Sequence, residues 1–259
     1  MNDNPFSVSD SYSDDRDLDL EPPQKRVWSP ISFTELAVGL FIILILIGLL
    51  VPTVRSGPHA RRRMMCANNL KQISLAMLNY EEANGCFPPA YTVDAEGNRL
   101  HSWRTLLLPY LEEQELYQKI DLAKPWDHPV NAKFNSYRLS IYDCPSSNAP
   151  SGRTTYVVVD DSTSIFDGSN TTAMEQIEDG TSCTLLVIEV DQSHAVAWMS
   201  PEDIDLPTFL DTEFRTGHSG GGNCALADGS IHFLDASLDE DSKHAIATKA
   251  AGDEFELAP

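Results

Sequence analysis

The sequence predicts an α+β protein in which helices come first, a sheet follows, and one helix near the N-terminus spans a membrane. Three observations predict this class. Residues 36–51 read LAVGLFIILILIGLLV without a polar side chain, residues 66–80 repeat apolar side chains at helical spacing, and short runs rich in Val, Ile and Leu follow from Thr154 onward. A chain that passes from helix to sheet in this order is typical of the α+β class.

The N-terminal region is predicted to contain a tail and a membrane span. Residues 1–30 are rich in Asp, Ser and Pro and poor in aliphatic side chains, so we expect a disordered acidic tail. Residues 33–54 form an apolar stretch interrupted only by Glu35, and a bilayer core needs about 20 helical residues. Arginines flank this stretch more densely after it than before it, so flank charge alone does not settle its orientation.

The region after the span is predicted to hold an amphipathic helix. Gly57-Pro58 is typical of a helix break, and Gly85 is a natural C-terminal stop. Between them, one face carries an apolar stripe at spacings of four and three, formed by Cys66, Leu70, Ile73, Met77 and Tyr80. We expect this stripe to pack on a sheet. Farther on, Ser102 is placed to cap a helix that starts at Trp103, and Pro109 interrupts that helix.

The second half of the chain is predicted to be rich in strands. The runs TYVVV, CTLLVIEV and HAVAWM are separated by Asp, Gly and Ser. The segment NCALADGSIHFL places Asp228-Gly229 between two short runs. This pattern predicts a β-hairpin with a type I′ turn, because both central positions of that turn need positive φ.

The segment GHSGGG, residues 217–222, precedes this hairpin and raises the question of a catalytic site. His218, Ser219 and Asp228 contain the residue types of a hydrolase. However, a nucleophile elbow needs a core strand before it and a helix after it, and this context is missing. A phosphate-binding loop is excluded because neither a Lys nor a helix follows the glycines. We therefore predict no catalytic residues and expect His218 to hold the glycine loop by hydrogen bonds to Asp228 or to the backbone.

Composition limits partners and cofactors. The net charge is −21, so nucleic acid is not an expected partner. Two acidic groups are candidates for a calcium site but lack EF-hand spacing, namely Glu202-Asp203-Asp205 and Asp235, Asp239, Glu240 and Asp241. The seven His are scattered without a zinc-binding pair. We predict no metal and no cofactor, with calcium as the alternative. Five Cys leave at least one unpaired, and the pairing stays open.

Several blocks of the sequence resemble one bacterial family. In GHSGGGNCALADGS, His218 is followed by nine residues and then Asp228-Gly229. This is similar to the H-X9-DG signature of pilin-like proteins that carry a prepilin-type N-terminal segment and a domain of unknown function. Blocks of the same character cover nearly all of residues 33–254, namely CANNLKQISLAMLNYEEANGCFPPA, SWRTLLLPYLEEQELY, KPWDHPVN, YDCPSS, IEDGTSCTLLVIEV, WMSPEDI and AIATKAAGDE.

The resemblance implies a pilin-like fold, in which an N-terminal transmembrane and amphipathic helix packs on an antiparallel sheet. It implies a single-pass inner-membrane protein with a cytoplasmic tail and an extracytoplasmic domain over residues 59–259. It places the family motif at His218, Gly221, Gly222, Asp228 and Gly229. The implied role is non-enzymatic, as a structural or assembly component of a secretion or surface system. Its implied partners are the membrane, copies of itself or other pilin-like subunits, and a prepilin peptidase.

The N-terminal segment departs from the family pattern at the processing site. Ser32 stands where the family has Gly before the mature Phe, here Phe33, and Glu35 falls at mature position three instead of five. A two-residue displacement rotates the carboxylate by about 200° around the helix. These departures leave cleavage and polymerisation open. The alternative function is a membrane-tethered module that binds an extracellular glycan or metal, and a tethered hydrolase is a more remote alternative.

Overall fold

A computed structural model of the chain describes residues 32–50, 58–212 and 216–252. The predicted acidic tail, residues 1–30, and residues 51–54 of the predicted span lie outside the described residues. The chain divides into two units, residues 1–55 and residues 56–259. The first unit contains helix α1 (Phe33–Leu50), and the second contains all the other described elements.

After Thr34 and Glu35 in its first turn, helix α1 has no polar residue. Its large apolar side chains are exposed wherever the structure describes them, from Phe33 at 89% to Ile45 at 46%. Within the described ranges, no helix is both long and apolar enough to cross a membrane.

Helix α2 (Pro58–Asn84) carries the predicted apolar stripe. Cys66, Leu70, Ile73 and Met77 are completely buried. Tyr80 is partly buried and meets Tyr110 edge to face at 5.7 Å between ring centroids. The helix begins at the predicted Pro58, and Gly85 follows its last residue with a φ of 72°. The predicted helix and its buried face are therefore confirmed.

The strands form three antiparallel groups. Strands β1 (Tyr91–Val93) and β2 (Arg99–Ser102) pair with each other, as do β3 (Arg153–Thr154) and β6 (Val196–Ala197). The main sheet has the order β4-β5-β7-β8, and its members are β4 (Tyr156–Val157), β5 (Leu185–Glu189), β7 (Gly221–Leu226) and β8 (Ile231–Asp235). The strand-rich second half of the chain is thus as predicted.

Short helices connect and cover the strands. They are α3 (Trp103–Leu106), α4 (Gln114–Tyr117), α5 (Pro129–Ala132), α6 (Leu206–Asp211) and α7 (Glu240–Ala247), with 3₁₀ turns at Leu108–Tyr110, Ser140–Tyr142, Met174–Gln176 and Gln192–His194. Ser102 caps α3 as predicted, because its Oγ accepts a hydrogen bond of 3.2 Å from the backbone N–H of Arg104.

Both faces of the main sheet are covered. Helix α2 packs on one face, where Ala225 of β7 and Ala227, just after the strand, present small side chains. On the other face, Phe209 of α6 and Ile246 of α7 join Leu226 in a second apolar cluster. All residues of β5 and β7 are therefore buried, which explains why residues 185–188 of β5 are all apolar. The sequence predicted only the layer formed by α2.

Strands β7 and β8 form the predicted hairpin, but the turn differs from the prediction. The backbone N–H of Leu226 donates to the carbonyl of Ser230 at 3.0 Å, and the N–H of Gly229 donates to the carbonyl of Leu226 at 2.8 Å. Of the three loop residues, only Gly229 has positive φ, at 79°. The predicted type I′ turn is therefore wrong. The loop is a type I turn followed by a glycine in the left-handed region, the usual three-residue solution.

Candidate functional site

The two ends of the motif that the resemblance suggested lie at opposite ends of β7. His218 precedes the strand, and Asp228 follows it in the hairpin loop. Asp228 Oδ1 accepts a hydrogen bond of 2.7 Å from the N–H of Ser230. His218 Nε2 instead lies 3.1 Å from Oε2 of Glu189. The hydrogen bond to Asp228, one of the two alternatives from the sequence, does not form, whereas the backbone of His218 does bridge to Gly221.

Gly229 joins the hairpin to α2. Its carbonyl accepts a hydrogen bond of 2.7 Å from Lys71 Nζ and lies 3.4 Å from Ser74 Oγ. A Cβ at this position would lie 2.9 Å from Cδ1 of Leu78. Glycine at position 229 therefore allows both the positive φ of the loop and the close approach of the loop to α2.

Gly221 and Gly222 allow close packing of β7 against its neighbours. A Cβ on Gly221 would overlap the backbone carbonyl of Leu234 in β8. A Cβ on Gly222 would lie 3.0 Å from the carbonyl oxygen of Glu189. The glycines of the motif are therefore packing residues that bring the start of β7 close to the end of β5.

Four side chains from four separate segments meet next to this glycine loop. Cys66 comes from α2, Cys144 from the loop after the 3₁₀ turn Ser140–Tyr142, Glu189 from the end of β5, and His218 from the loop before β7. All four residues are buried. Their sulfur, oxygen and nitrogen atoms all lie within 4.8 Å of one another. We call this group the four-ligand cluster.

Cys66 and Cys144 are joined in a disulfide, with their Cα atoms 5.4 Å apart. This pairing was left open by the sequence. Sγ of Cys144 also lies 2.7 Å from Oε1 of Glu189. A disulfide sulfur carries no proton, so this short contact is a hydrogen bond only when Cys144 is a thiol.

A polar network surrounds the cluster. Asn223 Nδ2 donates a hydrogen bond of 3.0 Å to Oε2 of Glu189. The hydroxyl of Tyr156 lies 3.5 Å from the carbonyl oxygen of Cys66. Burial, and then the negative charge of Glu189, raise the pKa of Tyr156 well above its ordinary value. Among the described residues, His218 Nε2 is buried without a well-aligned hydrogen bond, although Glu189 is close.

The residues considered for a hydrolase do not form a catalytic group. Ser219 is exposed, whereas His218 is buried and directed to Glu189. With Asp228 at the far end of β7, no nucleophile, base and orienting acid come together from this set.

Three of the carboxylates considered for calcium have structural roles. Asp203 is buried and paired with Arg104, with 2.5 Å between Oδ1 and Nη2. Its Oδ1 also accepts a hydrogen bond of 3.0 Å from the N–H of Val158. Asp205 caps α6 and Asp239 caps α7, each accepting from a backbone N–H. Asp203 thus forms a buried ion pair, and Asp205 and Asp239 cap two different helices.

The predicted processing residues lie at the start of α1. Ser32 Oγ accepts a hydrogen bond of 3.3 Å from the N–H of Glu35, and Glu35 Oε2 accepts one of 2.9 Å from the N–H of Ser32. This reciprocal arrangement is a capping box. Phe33, the first residue of α1, is exposed. Ser32 and Glu35 therefore have a local structural role that does not depend on processing.

Glu189 was not among the site residues predicted from the sequence. One signal was present, because this Glu is the one charged residue in the run CTLLVIEV. A charged residue within a buried strand is rare unless it has a partner. The cluster itself gave no motif, since its members are far apart in the chain.

Comparison with known protein families matches part of the chain. The model of a family described as "Protein of unknown function (DUF1559)" matches residues 58–172, less than half of the chain. The matched region contains α2, Cys66 and Cys144 and ends before Glu189 and His218. No curated protein and no solved structure matches the chain.

Proposed function

We propose that this protein is a non-enzymatic, membrane-anchored, pilin-like structural component of a secretion or surface system. The observation that carries the proposal is the contrast between two successive helices. Helix α1 exposes large apolar side chains on all sides, whereas α2 buries a single stripe against an antiparallel sheet. An exposed apolar surface of this kind calls for a nonaqueous neighbour or another copy of the helix.

Two further features support the proposal. A helix packed on an antiparallel sheet is the arrangement that the resemblance to pilin-like proteins implies, and the main sheet with α2 has this form. In addition, the hydrolase candidates are dispersed, as described above. In this proposal the domain that begins with α2 is extracytoplasmic, where a disulfide between Cys66 and Cys144 can persist.

Membrane anchoring is tested by charging α1. Ile43→Asp together with Leu44→Asp is expected to move the full chain from the membrane fraction to the soluble fraction, because each Asp near the centre of a span costs about 2.5–3.5 kcal/mol. The matched control is Met65→Asp with Leu75→Asp, which charges two apolar side chains that are exposed on α2. If both double variants remain in the membrane fraction, or both leave it, α1 is not the anchor.

Assembly is tested by the N-terminus of the mature protein from native membranes, measured by intact mass and terminal sequencing. A start at Phe33 supports assembly through a prepilin peptidase that accepts Ser32. Ser32→Gly is then expected to be processed at least as completely. A start at Met1 contradicts assembly by the pilin route and favours a permanent anchor.

A second function, the tethered binding module, is favoured by a cavity of about 410 Å³ beside the His218 loop. Its lining is mainly hydroxyl and amide side chains, including Ser146, Asn148, Gln192 and Thr216. Such groups suit a neutral polar ligand such as a glycan. An oligosaccharide array probed with the full chain tests this function, with Gln192→Ala expected to abolish any signal. An array without a hit contradicts it.

A further inference from the structure

We propose that the four-ligand cluster is a closed Zn²⁺ site when Cys66 and Cys144 are thiolates. The disulfide is then the alternative, metal-free state of the same two residues. The site would supply two sulfur atoms, one carboxylate oxygen and one imidazole nitrogen from four segments of the fold.

The donor set favours zinc among the common metals. Thiolates with imidazole are typical ligands of Zn²⁺, whereas calcium and magnesium prefer oxygen ligands alone. Four protein ligands leave no coordination position open, and all four residues are buried. Structural zinc sites have these properties, while catalytic sites keep one position for water.

The geometry is close to that of a tetrahedral site. Ligand atoms around a tetrahedral Zn²⁺ lie about 3.3–3.8 Å apart, given zinc–ligand bonds of about 2.0–2.3 Å. Oε1 of Glu189 lies 2.7 Å from Sγ of Cys144, whereas the other carboxylate oxygen, Oε2, lies 3.1 Å from Nε2 of His218. With Oε1 as the ligand, its contact with the sulfur of Cys144 needs to open by less than about 1 Å to admit the ion. The larger change is at sulfur, where the disulfide must be absent.

Two contacts within the cluster are suited to a shared cation. In the disulfide state, a buried carboxylate oxygen of Glu189 faces a sulfur atom at 2.7 Å with no proton between them. His218 Nε2 is more than nine-tenths buried and makes no well-aligned hydrogen bond within the described part of the chain. A buried polar atom without a partner is costly. A single cation among the four groups would satisfy both atoms.

The surroundings fit the charge of such a site. Two thiolates and one carboxylate exceed the charge of Zn²⁺ by one negative charge. The amide of Asn223, which donates to Oε2 of Glu189 at 3.0 Å, would offset part of this excess and orient the carboxylate. Gly222 leaves space beside the backbone of Glu189.

The two states are linked by a balanced exchange. A disulfide such as oxidised glutathione accepts two electrons from the two zinc-bound thiolates. The Cys66–Cys144 bond forms, the sulfur–sulfur bond of glutathione breaks, two protons are taken up to give two glutathione thiols, and Zn²⁺ is released. The protein would therefore hold zinc in the reducing cytosol before export and release it when the Cys66–Cys144 disulfide forms on the oxidising side of the membrane.

The test uses the full chain, produced in a reducing cytosol with added zinc and purified anaerobically in detergent. We expect one zinc per chain by mass spectrometry. After replacement by Co²⁺, we expect thiolate-to-cobalt charge-transfer bands and the visible spectrum of tetrahedral Co²⁺. Oxidised glutathione should release one zinc for each Cys66–Cys144 disulfide formed, as followed by a chelating dye. A chain without zinc and with the spectrum of aqueous Co²⁺ would overturn the proposal, and this result needs no variant.

Variants locate the metal. Cys144→Ser and Glu189→Gln should lose it, and Asn223→Ala should weaken zinc binding about 10–100-fold. Cys183→Ser is the matched control, because Cys183 is outside the cluster and not in a disulfide. Circular dichroism verifies folding. Equal zinc content in Cys144→Ser and Cys183→Ser would place the metal elsewhere and overturn the assignment.

Discussion

Replacement of Gly229 by Ala tests the docking of the hairpin on α2. Gly229 has a φ of 79°, and a Cβ there would lie 2.9 Å from Cδ1 of Leu78. The left-handed conformation costs an L-residue about 1–2 kcal/mol, partly offset by the reduced entropy of the unfolded chain, about 0.4–1 kcal/mol. Displacement of Leu78 adds about 1 kcal/mol, at the low end for overpacking because the methyl group ends a flexible side chain.

The carbonyl of Gly229 raises the expected cost. It accepts a hydrogen bond from Lys71 Nζ, and such a bond to a charged group contributes about 1.5–3 kcal/mol. If the loop shifts by a few tenths of an ångström to clear Leu78, part of this contribution is lost. We therefore expect Gly229→Ala to lower the free energy of unfolding by about 2–4 kcal/mol.

Gly85→Ala is the matched control. Gly85 has a similar φ of 72°, but a Cβ there would meet nothing within 4 Å. Its cost should be limited to the conformational part, about 1 kcal/mol. Urea unfolding of the full chain in mild detergent, followed by tryptophan fluorescence, measures both variants. Equal losses would refute the reasoning, because contact with α2 would then contribute nothing.

A double-mutant cycle isolates the contact. Leu78→Ala removes the side chain that the new methyl group would displace. In the Leu78→Ala background, Gly229→Ala should therefore cost about 1 kcal/mol less than in the parent chain. An unchanged cost would show that the loop, and not Leu78, absorbs the strain.

Three more outcomes are expected. Reduction of Cys66–Cys144 without metal should lower the free energy of unfolding by about 4–5 kcal/mol, since the bond spans 78 residues; an unchanged urea midpoint would contradict this. Burial raises the pKa of Asp203 to about 6, so between about pH 4 and pH 6 the folded state binds more protons than the unfolded state. The free energy of unfolding should therefore fall by up to about 3 kcal/mol as pH rises through this range. Urea denaturation of Asp203→Asn should lack this part of the pH dependence, and an equal change of unfolding free energy with pH in the variant and the parent chain would refute the prediction. Burial also raises the pKa of Cys224 to about 12, so iodoacetamide at about pH 8 should label Cys183 but not Cys224 in the folded chain. Mass spectrometry measures the labelling of each cysteine, and faster labelling of Cys224 than of Cys183 would contradict this prediction.

Much of the local structure could be predicted because it depends on neighbouring residues. The period of the stripe from Cys66 to Tyr80 predicted the buried face of α2, and Pro58 and Gly85 predicted its ends. Ser102 indicated the N-cap of α3. Asp228-Gly229 predicted the hairpin but not its turn type, because the type depends on the register of β7 with β8.

The interactions between distant segments were decided by the tertiary structure. Helices α6 and α7 cover the second face of the main sheet, and the sequence around them did not predict this. The reason is that short helices bury only a few side chains, such as Phe209 and Ile246. The pairing of Cys66 with Cys144 was one of several that five cysteines allow.

By itself, the sequence determined the order of the elements, the apolar character of α1 and the residues that begin and end α2, because each follows from the periodicity or conformational preference of adjacent residues. Only the tertiary structure brought Cys66, Cys144, Glu189 and His218 together. Their approach depends on strand register and on glycines that allow close backbone contact, such as Gly222 beside Glu189. Contacts between residues so far apart arise from packing of the whole domain, which no short stretch of sequence encodes.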